Sequence, residues 1–491
     1  MLISVALSIL ASGHSSMEGT PNVVLILADD LGYGDVSALA PESSLSTPYL
    51  DALAEQGMTF VDAHSPSAVC TPTRYGTLTG TYCWRSRLKK GVLGGYSKPL
   101  LDPGQPTLGT LLQAAGHRTA TIGKWHLGMD LPMKTDDADT GPWSGDPGID
   151  WGGTITDGPT HHGFDAYFGV TASLDMAPYV YVRDDAFVGE PVAEQPAQPF
   201  PHFVRRGPLG QDFDIANVLD DLTREAVSFI KSSAEAGEPF FLYMPLTAPH
   251  KPTIAHERFK GETELGEYGD FIVQTDWSVG QVLAALDEAG VADETLVVFT
   301  SDNGSYMYRY PEGSEDHVSV ASKQGFAEDR HLANGSWRGT KADVYEAGHR
   351  VPFFVRWPGR VEAGSSCDEP ICHVDLFATF AEIFGQAVPE GHARDSVSLV
   401  PMLEGVEGAR RGVPVVHHSV NGTFALRDGR WKAVFSSGSG GREKPSGKPF
   451  DGVVRLFDML EDPGETRDVA GENPEVLERM VQALQSIRGV Q

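Results

Sequence analysis

The sequence predicts an α/β protein: a large doubly wound mixed sheet flanked by helices, followed by a smaller C-terminal α+β domain. Three observations lead there. Aliphatic runs without polar alternation, such as Asn22-Val23-Val24-Leu25-Ile26-Leu27-Ala28, have the pattern of strands buried on both faces. Amphipathic stretches alternate with such runs, helix before strand over 217–246 and again over 275–300. From about residue 406 the texture shifts to short β-like runs, a Gly/Ser-rich loop and a last helix from Pro474. The expected division is a signal peptide and leader over 1–19, a catalytic α/β domain over 20–405 and the small domain over 406–491.

Taken in order, Asn22 to Ala28 is the first central strand and runs into Asp29-Asp30-Leu31-Gly32. Open α/β sheets bind ligands at the carboxyl ends of their strands, and two adjacent carboxylates there call for a hard cation such as Ca²⁺ or Mg²⁺. Thr47 to Gly57 is a capped amphipathic helix, and Met58 to Val61 a short strand. Helix is expected from Tyr75 onward, which puts Cys70 near a helix N-terminus, where the dipole favours an anion. A helix near Thr107 to Ala115 leads into strand Thr119 to Ile122 and then Gly123-Lys124-Trp125-His126. Lys124 and His126 at this strand end offer a fixed positive charge and a titratable base. Residues 130–160, rich in Asp, Gly, Pro and Trp without periodicity, are expected to be a substrate-facing insertion, closed by His161-His162. Helix Asn217 to Ala234 precedes strand Pro239 to Leu246, which ends in Ala248-Pro249-His250. Helix Thr275 to Glu288 precedes strand Thr295 to Thr300, which ends in Ser301-Asp302-Asn303-Gly304. Trp337 to Lys341 and Glu346 to Arg350 lead into strand Val351 to Trp357, and Val413 to His417 and Trp431 to Phe435 begin the small domain. Each central strand ends in a polar cluster, and their agreement points to one shared crevice.

The composition narrows the function. With 491 residues, 41% of them hydrophobic and 21% charged, the chain has the make-up of an ordinary soluble globular protein. A net charge of −29 excludes a nucleic-acid-binding surface and means that an anionic substrate needs a local cationic pocket. The apolar run Leu2 to Ala11 with small residues after it fits a secretory signal, although no Lys or Arg precedes it, so a secreted or periplasmic protein is expected. No later apolar stretch reaches the ~18 residues of a transmembrane span. Four cysteines are too few for a disulfide scaffold, and whether Cys367 pairs with Cys372 is left open. Sequons begin at Asn303, Asn334 and Asn421.

The stretch that organises these pieces is Cys70-Thr71-Pro72-Thr73-Arg74. A single cysteine is neither a disulfide pattern nor a C-x₂₋₄-C zinc pattern. The pentad resembles the C-x-P-x-R signature of type I, formylglycine-dependent sulfatases of the alkaline-phosphatase superfamily. Asp29-Asp30, Gly123-Lys124-Trp125-His126-Leu127-Gly128, Ala248-Pro249-His250, Asp302-Asn303-Gly304 and Lys341 stand in that family's order. The resemblance implies that a maturation enzyme converts Cys70 to 3-oxoalanine (Cα-formylglycine), whose hydrated form is the nucleophile toward sulfur. It implies that Asp29, Asp30, Asp302, Asn303 and the modified Cys70 bind one divalent cation, Ca²⁺ in most relatives. Arg74 and Lys124 are implied to hold the diol and the sulfate oxygens, and His126 to act as base in sulfate release. His250 and Lys341 are implied to grip the sulfate and protonate the leaving alcohol. Such cations and a metal fit a reaction that builds charge on oxygen. A metal ligand cannot readily carry a glycan, so the sequon at Asn303 is discounted. One departure is Ala342-Asp343-Val344-Tyr345-Glu346, where relatives more often have small polar residues and Trp.

Phosphonate monoesterases and choline sulfatases share the modified cysteine but typically carry Asp-His where this chain has Asp302-Asn303, and a phosphonate or phosphate ester hydrolase of the same superfamily is one alternative. Asparagine there favours the aryl- and carbohydrate-sulfatase branch; a catalytically silent sulfoglycan-binding protein is the alternative from another class. The segments 142–164 and 173–184 resemble bacterial carbohydrate sulfatases, some acting on 6-O-sulfated galacto-configured sugars. The implied substrate is a sulfated carbohydrate or aryl sulfate, with His162 and Asp175 as candidate sugar contacts.

Overall fold

The computed structural model describes residues 20–135 and 145–489. The expected signal peptide and part of the 130–160 insertion lie outside the described residues. Strand β1 (Asn22–Asp29) is buried along its whole length, as its unbroken aliphatic run requires. It lies inside one ten-stranded sheet with β2 (Met58–Phe60), β3 (Arg118–Lys124), β4 (Ala166–Val170), β5 (Val182–Arg183), β6 (Ala186–Phe187), β7 (Phe240–Pro249), β8 (Thr295–Ser301), β9 (Phe353–Arg356) and β10 (Ser365–Cys367). The order across the sheet is β10-β2-β9-β8-β1-β7-β3-β4-β5-β6. β8, β1, β7, β3 and β4 run parallel, whereas β9 and β5 are antiparallel to their neighbours in this block. The sheet is therefore mixed, with its parallel core at the centre.

The flanking helices are α1 (Pro48–Gln56), α2 (Cys70–Thr79), α3 (Leu108–Ala114), α4 (Val218–Ala236), α5 (Gly266–Glu288) and α6 (Asp375–Ile383). Neighbouring residues of a strand point to opposite faces. Phe240 of β7 packs 6.0 Å from Phe229 of α4, and Phe241 packs 6.5 Å from Phe380 of α6. Helices thus cover both sides of β7, the doubly wound arrangement expected.

Two helix starts differ from expectation. α2 begins at Cys70, not near Tyr75, because Pro72 sits in the first turn, where its missing N–H costs nothing. α5 begins at Gly266, well before Thr275. Tyr268, Phe271 and Ile272 already follow helical spacing and are buried, but Gly266 and Gly269 among them weaken the pattern. The described part of the 130–160 insertion is anchored: Ile149, Trp151 and Ile155 are buried, and Trp151 packs 4.8 Å from Phe187.

The C-terminal unit is an antiparallel meander of β11 (Val415–His418), β12 (Phe424–Asp428), β13 (Trp431–Val434) and β14 (Arg455–Asp458). β12 and β14 join the two strands expected from sequence. Helix α7 (Pro474–Arg488) buries Met480 and Leu484 in the same cluster as Leu426 and Leu456. Tyr82, Trp84 and Val374 from the larger unit share that cluster, so the small sheet is seated on the large one. Buried Lys432 adds an ionic link, 2.9 Å from Glu346 and 2.8 Å from Glu465. Cys367 and Cys372 are free thiols.

Candidate active site

The ends of β1, β3, β7 and β8 and the start of α2 meet at one buried point. Side chains alternate along a strand, so two consecutive carboxylates reach one pocket only if the chain turns between them. Asp30 supplies the turn with a left-handed φ of 66°, and Asp29 and Asp30 are both fully buried. Asp302 follows β8, takes a hydrogen bond from the Asp30 amide at 3.1 Å, and donates its own amide to Ala28 O.

Cys70 is the first residue of α2, where unpaired amides and the helix dipole leave a positive field. Its Sγ lies 3.5 Å from Asp29 Oδ1 and 3.4 Å from Lys341 Nζ. Arg74, one turn on, faces the same way. Its Nε and Nη2 donate to Asp302 Oδ2 at 3.1 and 2.8 Å, and Nη1 donates to Lys124 O at 2.9 Å. Lys124, the last residue of β3, donates to Asp29 Oδ2 at 2.7 Å. Lys341 donates to both oxygens of Asp30 at 2.5 and 2.7 Å. Three carboxylates and three cations interlock.

Two histidines complete the cluster. His126, in a left-handed conformation with φ 57°, sets Nε2 2.8 Å from Leu93 O, so that nitrogen carries the proton. Its Nδ1 is buried and has no hydrogen-bond partner among the described residues, which leaves it a free lone pair. His250 donates from Nδ1 to Lys251 O at 2.5 Å and sets Nε2 3.5 Å from Asp30 Oδ2. Burial, then Lys124 and Arg74 for His126 and Lys341 for His250, drive both imidazoles well below the usual histidine range. Both are neutral at pH 7. Burial would raise Asp29, but Lys124 and the other cations hold its carboxyl below the usual range. Burial and the nearby Asp302 push the Cys70 thiol far up, so as a thiol it is protonated and a poor nucleophile.

The donor set fits a hard cation. Asn303 Nδ2 donates to Asp30 Oδ1 at 2.6 Å and to Gly304 O at 3.0 Å, which fixes the amide orientation. Its Oδ1 is then buried with no partner among the described residues. An orphaned amide oxygen beside three carboxylates is what an oxygen-coordinated divalent ion would satisfy. Asp29, Asp30, Cys70 and His250 each place a possible ligand atom within 4.8 Å of one another.

Ten of the twelve residues expected at the site are therefore together. His162 stands apart: Nε2 pairs with Asp157 at 2.8 Å, and the buried ring stacks on Trp125 at 6.4 Å. None of these contacts is with a residue of the cluster. Asp175 is buried and paired with Arg205, with Oδ1 left without a partner. Sequence reasoning missed Ser301, Lys251 and Arg442. Ser301 Oγ takes the Leu31 amide and donates to Asn303 O, both at 2.9 Å, bracing the carboxylate loops. Lys251 directly follows the expected His250, whereas Arg442 lies in the Gly/Ser-rich loop and carried no signal.

The Sulfatase family model matches residues 21–386 of the chain. The chain belongs to the sulfatase family. It is a sulfuric ester hydrolase, and its mixed sheet with flanking helices is the fold of the alkaline-phosphatase superfamily. This sulfatase is 34% identical to an N-acetylgalactosamine-6-O-sulfatase of Bacteroides thetaiotaomicron, over 97% of this chain and 94% of that protein. It is 30% identical to arylsulfatase A of Bos taurus, over 95% and 87% respectively. A solved Bacteroides thetaiotaomicron structure, from work on the metabolism of multiple glycosaminoglycans, superposes with a TM-score of 0.81 at 31% identity. That match covers 96% of this chain and 99% of the other.

Proposed function

We propose that this sulfatase removes O-sulfate groups from a carbohydrate, a 6-O-sulfated galacto-configured sugar in particular. The observation that carries the reading is the interlocked cluster of Asp29, Asp30, Asp302 and Asn303 with Arg74, Lys124 and Lys341 around Cys70. The N-acetylgalactosamine-6-O-sulfatase relative supports the sugar class. Residues 20–405 are taken as the catalytic domain and 406–491 as a smaller domain seated on it. No described helix is long and apolar enough to cross a membrane, which is consistent with the secreted or periplasmic location proposed from the N-terminal sequence.

The roles proposed are those the family resemblance implies, and the geometry supports them. Asp29, Asp30, Asp302 and Asn303 Oδ1 would hold one divalent cation, Ca²⁺ by family resemblance. Bound there, the cation supplies Lewis acidity to a sulfate oxygen. Cys70, protonated and inert as a thiol, is read as the precursor of Cα-formylglycine, whose hydrate offers one hydroxyl for attack on sulfur and a second for sulfate release. Arg74 and Lys124, pinned by Asp302 and Asp29, fix the cationic wall that the sulfate oxygens meet. His126 Nδ1 accepts the proton when sulfate leaves, its tautomer set by Leu93 O. Lys341 and His250 hold the sulfate on its outer side and return a proton to the leaving alcohol. The anionic substrate raises the proton affinity of His250 as it arrives. Asp175 is the sugar contact retained.

The test is mass spectrometry of the tryptic fragment containing Cys70, from protein made in its native host. Conversion to the aldehyde, by a formylglycine-generating maturation enzyme, lowers the mass by about eighteen daltons. That shift, with sulfate release from sulfated sugars, is expected. A Cys70 that stays a thiol beside a competent maturation enzyme would replace the catalytic reading with that of a silent sulfoglycan-binding protein.

A further inference from the structure

The cations of the reacting cluster all have carboxylate partners, but two cations beside it have none among the described residues. Lys251 follows His250, and its Nζ lies 4.3 Å from the Phe203 ring and 5.9 Å from the Tyr306 ring. No carboxylate accepts a hydrogen bond from it among the described residues. Arg442 reaches the same place from the C-terminal unit: Nη1 donates to Tyr306 O at 3.3 Å, its only side-chain hydrogen bond among the described residues. Its loop is pressed against the chain just after Lys341. The Arg442 amide donates to Asp343 Oδ1 at 2.5 Å, and a Cβ on Gly441 would fall 2.3 Å from Ala342 O. Tyr306 ties this corner to the reaction, its ring 6.5 Å from that of His250.

Two unpartnered like charges in a half-buried corner oppose each other. Burial, then Arg442 and Lys341, bring Lys251 down to about 8. Asp175 and Asp30 pull the other way from longer range, and among the described residues no carboxylate forms an ion pair with either cation. We propose that Lys251 and Arg442 form a second anion subsite, which binds a further acidic group on the same glycan beside the sulfate being removed. The ligand class is an acidic glycan whose second charge is a uronate carboxylate or another sulfate. The inference rests on the carbohydrate sulfatase reading above.

The experiment compares kcat/KM of the matured enzyme on four substrates. They are a small aryl sulfate, 6-O-sulfated N-acetylgalactosamine, that sugar linked to a uronic acid, and that sugar with a second sulfate. The expected result is a preference of about tenfold or more for a doubly charged sugar over the singly charged one, carried by KM, as a charge-assisted hydrogen bond gives. Whichever doubly charged sugar is preferred identifies the second anion. In Lys251→Met, which keeps the apolar contact with Phe203, and in Arg442→Met, the ratio falls toward one. Lys251→Arg restores it. A wild-type ratio near one, or a ratio unchanged in both Met variants, overturns the subsite while leaving the carbohydrate reading intact. Turnover of the aryl sulfate alone, with no sugar cleaved, overturns the reading and the subsite with it.

Discussion

Acid should loosen the enzyme through His373, and the structure sets the size of the effect. His373 bridges two elements that carry the site. Its Nδ1 lies 3.4 Å from Thr77 Oγ1 on α2, the helix that begins with Cys70. Its Nε2 lies 2.9 Å from Thr300 Oγ1 on β8, two residues before Asp302. The ring is fully buried, and burial together with His64 pulls its pKa from 6.5 to about 3. Between those two values the unfolded chain binds a proton that the folded chain refuses. The stabilising contribution is thus complete above pH 6.5 and falls as pH drops below it. From pH 7.5 to pH 5 the loss is about 2 kcal/mol, at ~1.4 kcal/mol per pH unit. Gln at this position can still donate to one threonine and accept from the other, without titrating. Guanidinium unfolding followed by tryptophan fluorescence at both pH values gives the comparison. His373→Gln should lose about 2 kcal/mol less than wild type on acidification. Equal losses in the two proteins would show that His373 is not held neutral by the fold, and the argument would fail.

Other perturbations have equally definite outcomes. His126→Gln should lower kcat by about 10²–10⁴-fold in steady-state assays of the matured enzyme, since no other free lone pair replaces Nδ1. Lys432→Met leaves Glu465 buried without its cation and Glu346 with Arg350 alone at 3.2 Å, and should cost about 1–3 kcal/mol in denaturant unfolding. Gly169→Ala puts a Cβ 1.8 Å from Gly123 O. That collision drives β4 from β3, so activity should drop along with about 1–3 kcal/mol of stability, measured in parallel on one preparation. Chelation should lower the melting temperature, lower kcat and raise KM, and added Ca²⁺ should reverse all three. A cation saturating its site at about 100 times its Kd contributes about 2.7 kcal/mol. In Asn303→Leu the calcium-dependent part of the melting shift should disappear.

The site was legible in sequence where a residue type stands at a strand end or in a rigid local spacing. Asp29, Lys124, His250 and Asp302 all stand at the ends of buried central strands, and a parallel sheet delivers the ends of its strands to one edge. Cys70 and Arg74 are marked by their pentad, whereas their placement one helical turn apart comes from the structure, since the sequence predicts helix only from Tyr75. What could not be read was long-range. That His162 pairs with Asp157 and stacks on Trp125 has no signal in the local sequence. Arg442 lies in a Gly/Ser-rich stretch that sequence treats as a linker, and only tertiary packing of that loop on Ala342 brings its charge to the site. β12 and β14 were missed for a similar reason. Short strands such as Arg455–Asp458 have too few alternations for a period of two to show, and pairing with β13 defines them.

The pocket's charge explains how a chain of net charge −29 can take in a sulfate. The surplus acid is spread over the surface, where salt screens it beyond roughly 8–10 Å. Inside, Asp29, Asp30 and Asp302 are matched by Arg74, Lys124 and Lys341, each cation within 2.8 Å of its carboxylate. His126 and His250 are neutral, so the protein groups alone leave the cluster with no net charge. Cations already committed to carboxylates have little attraction left for an incoming anion. A divalent ion held by Asp29, Asp30, Asp302 and Asn303 would change that balance by two charges and leave the cations freer to face the sulfate. On this account the ion contributes to substrate binding as well as to chemistry, which is why its removal is expected to raise KM and not only lower kcat. The same logic places a second anion at Lys251 and Arg442, the two cations beside the cluster that no described carboxylate has claimed.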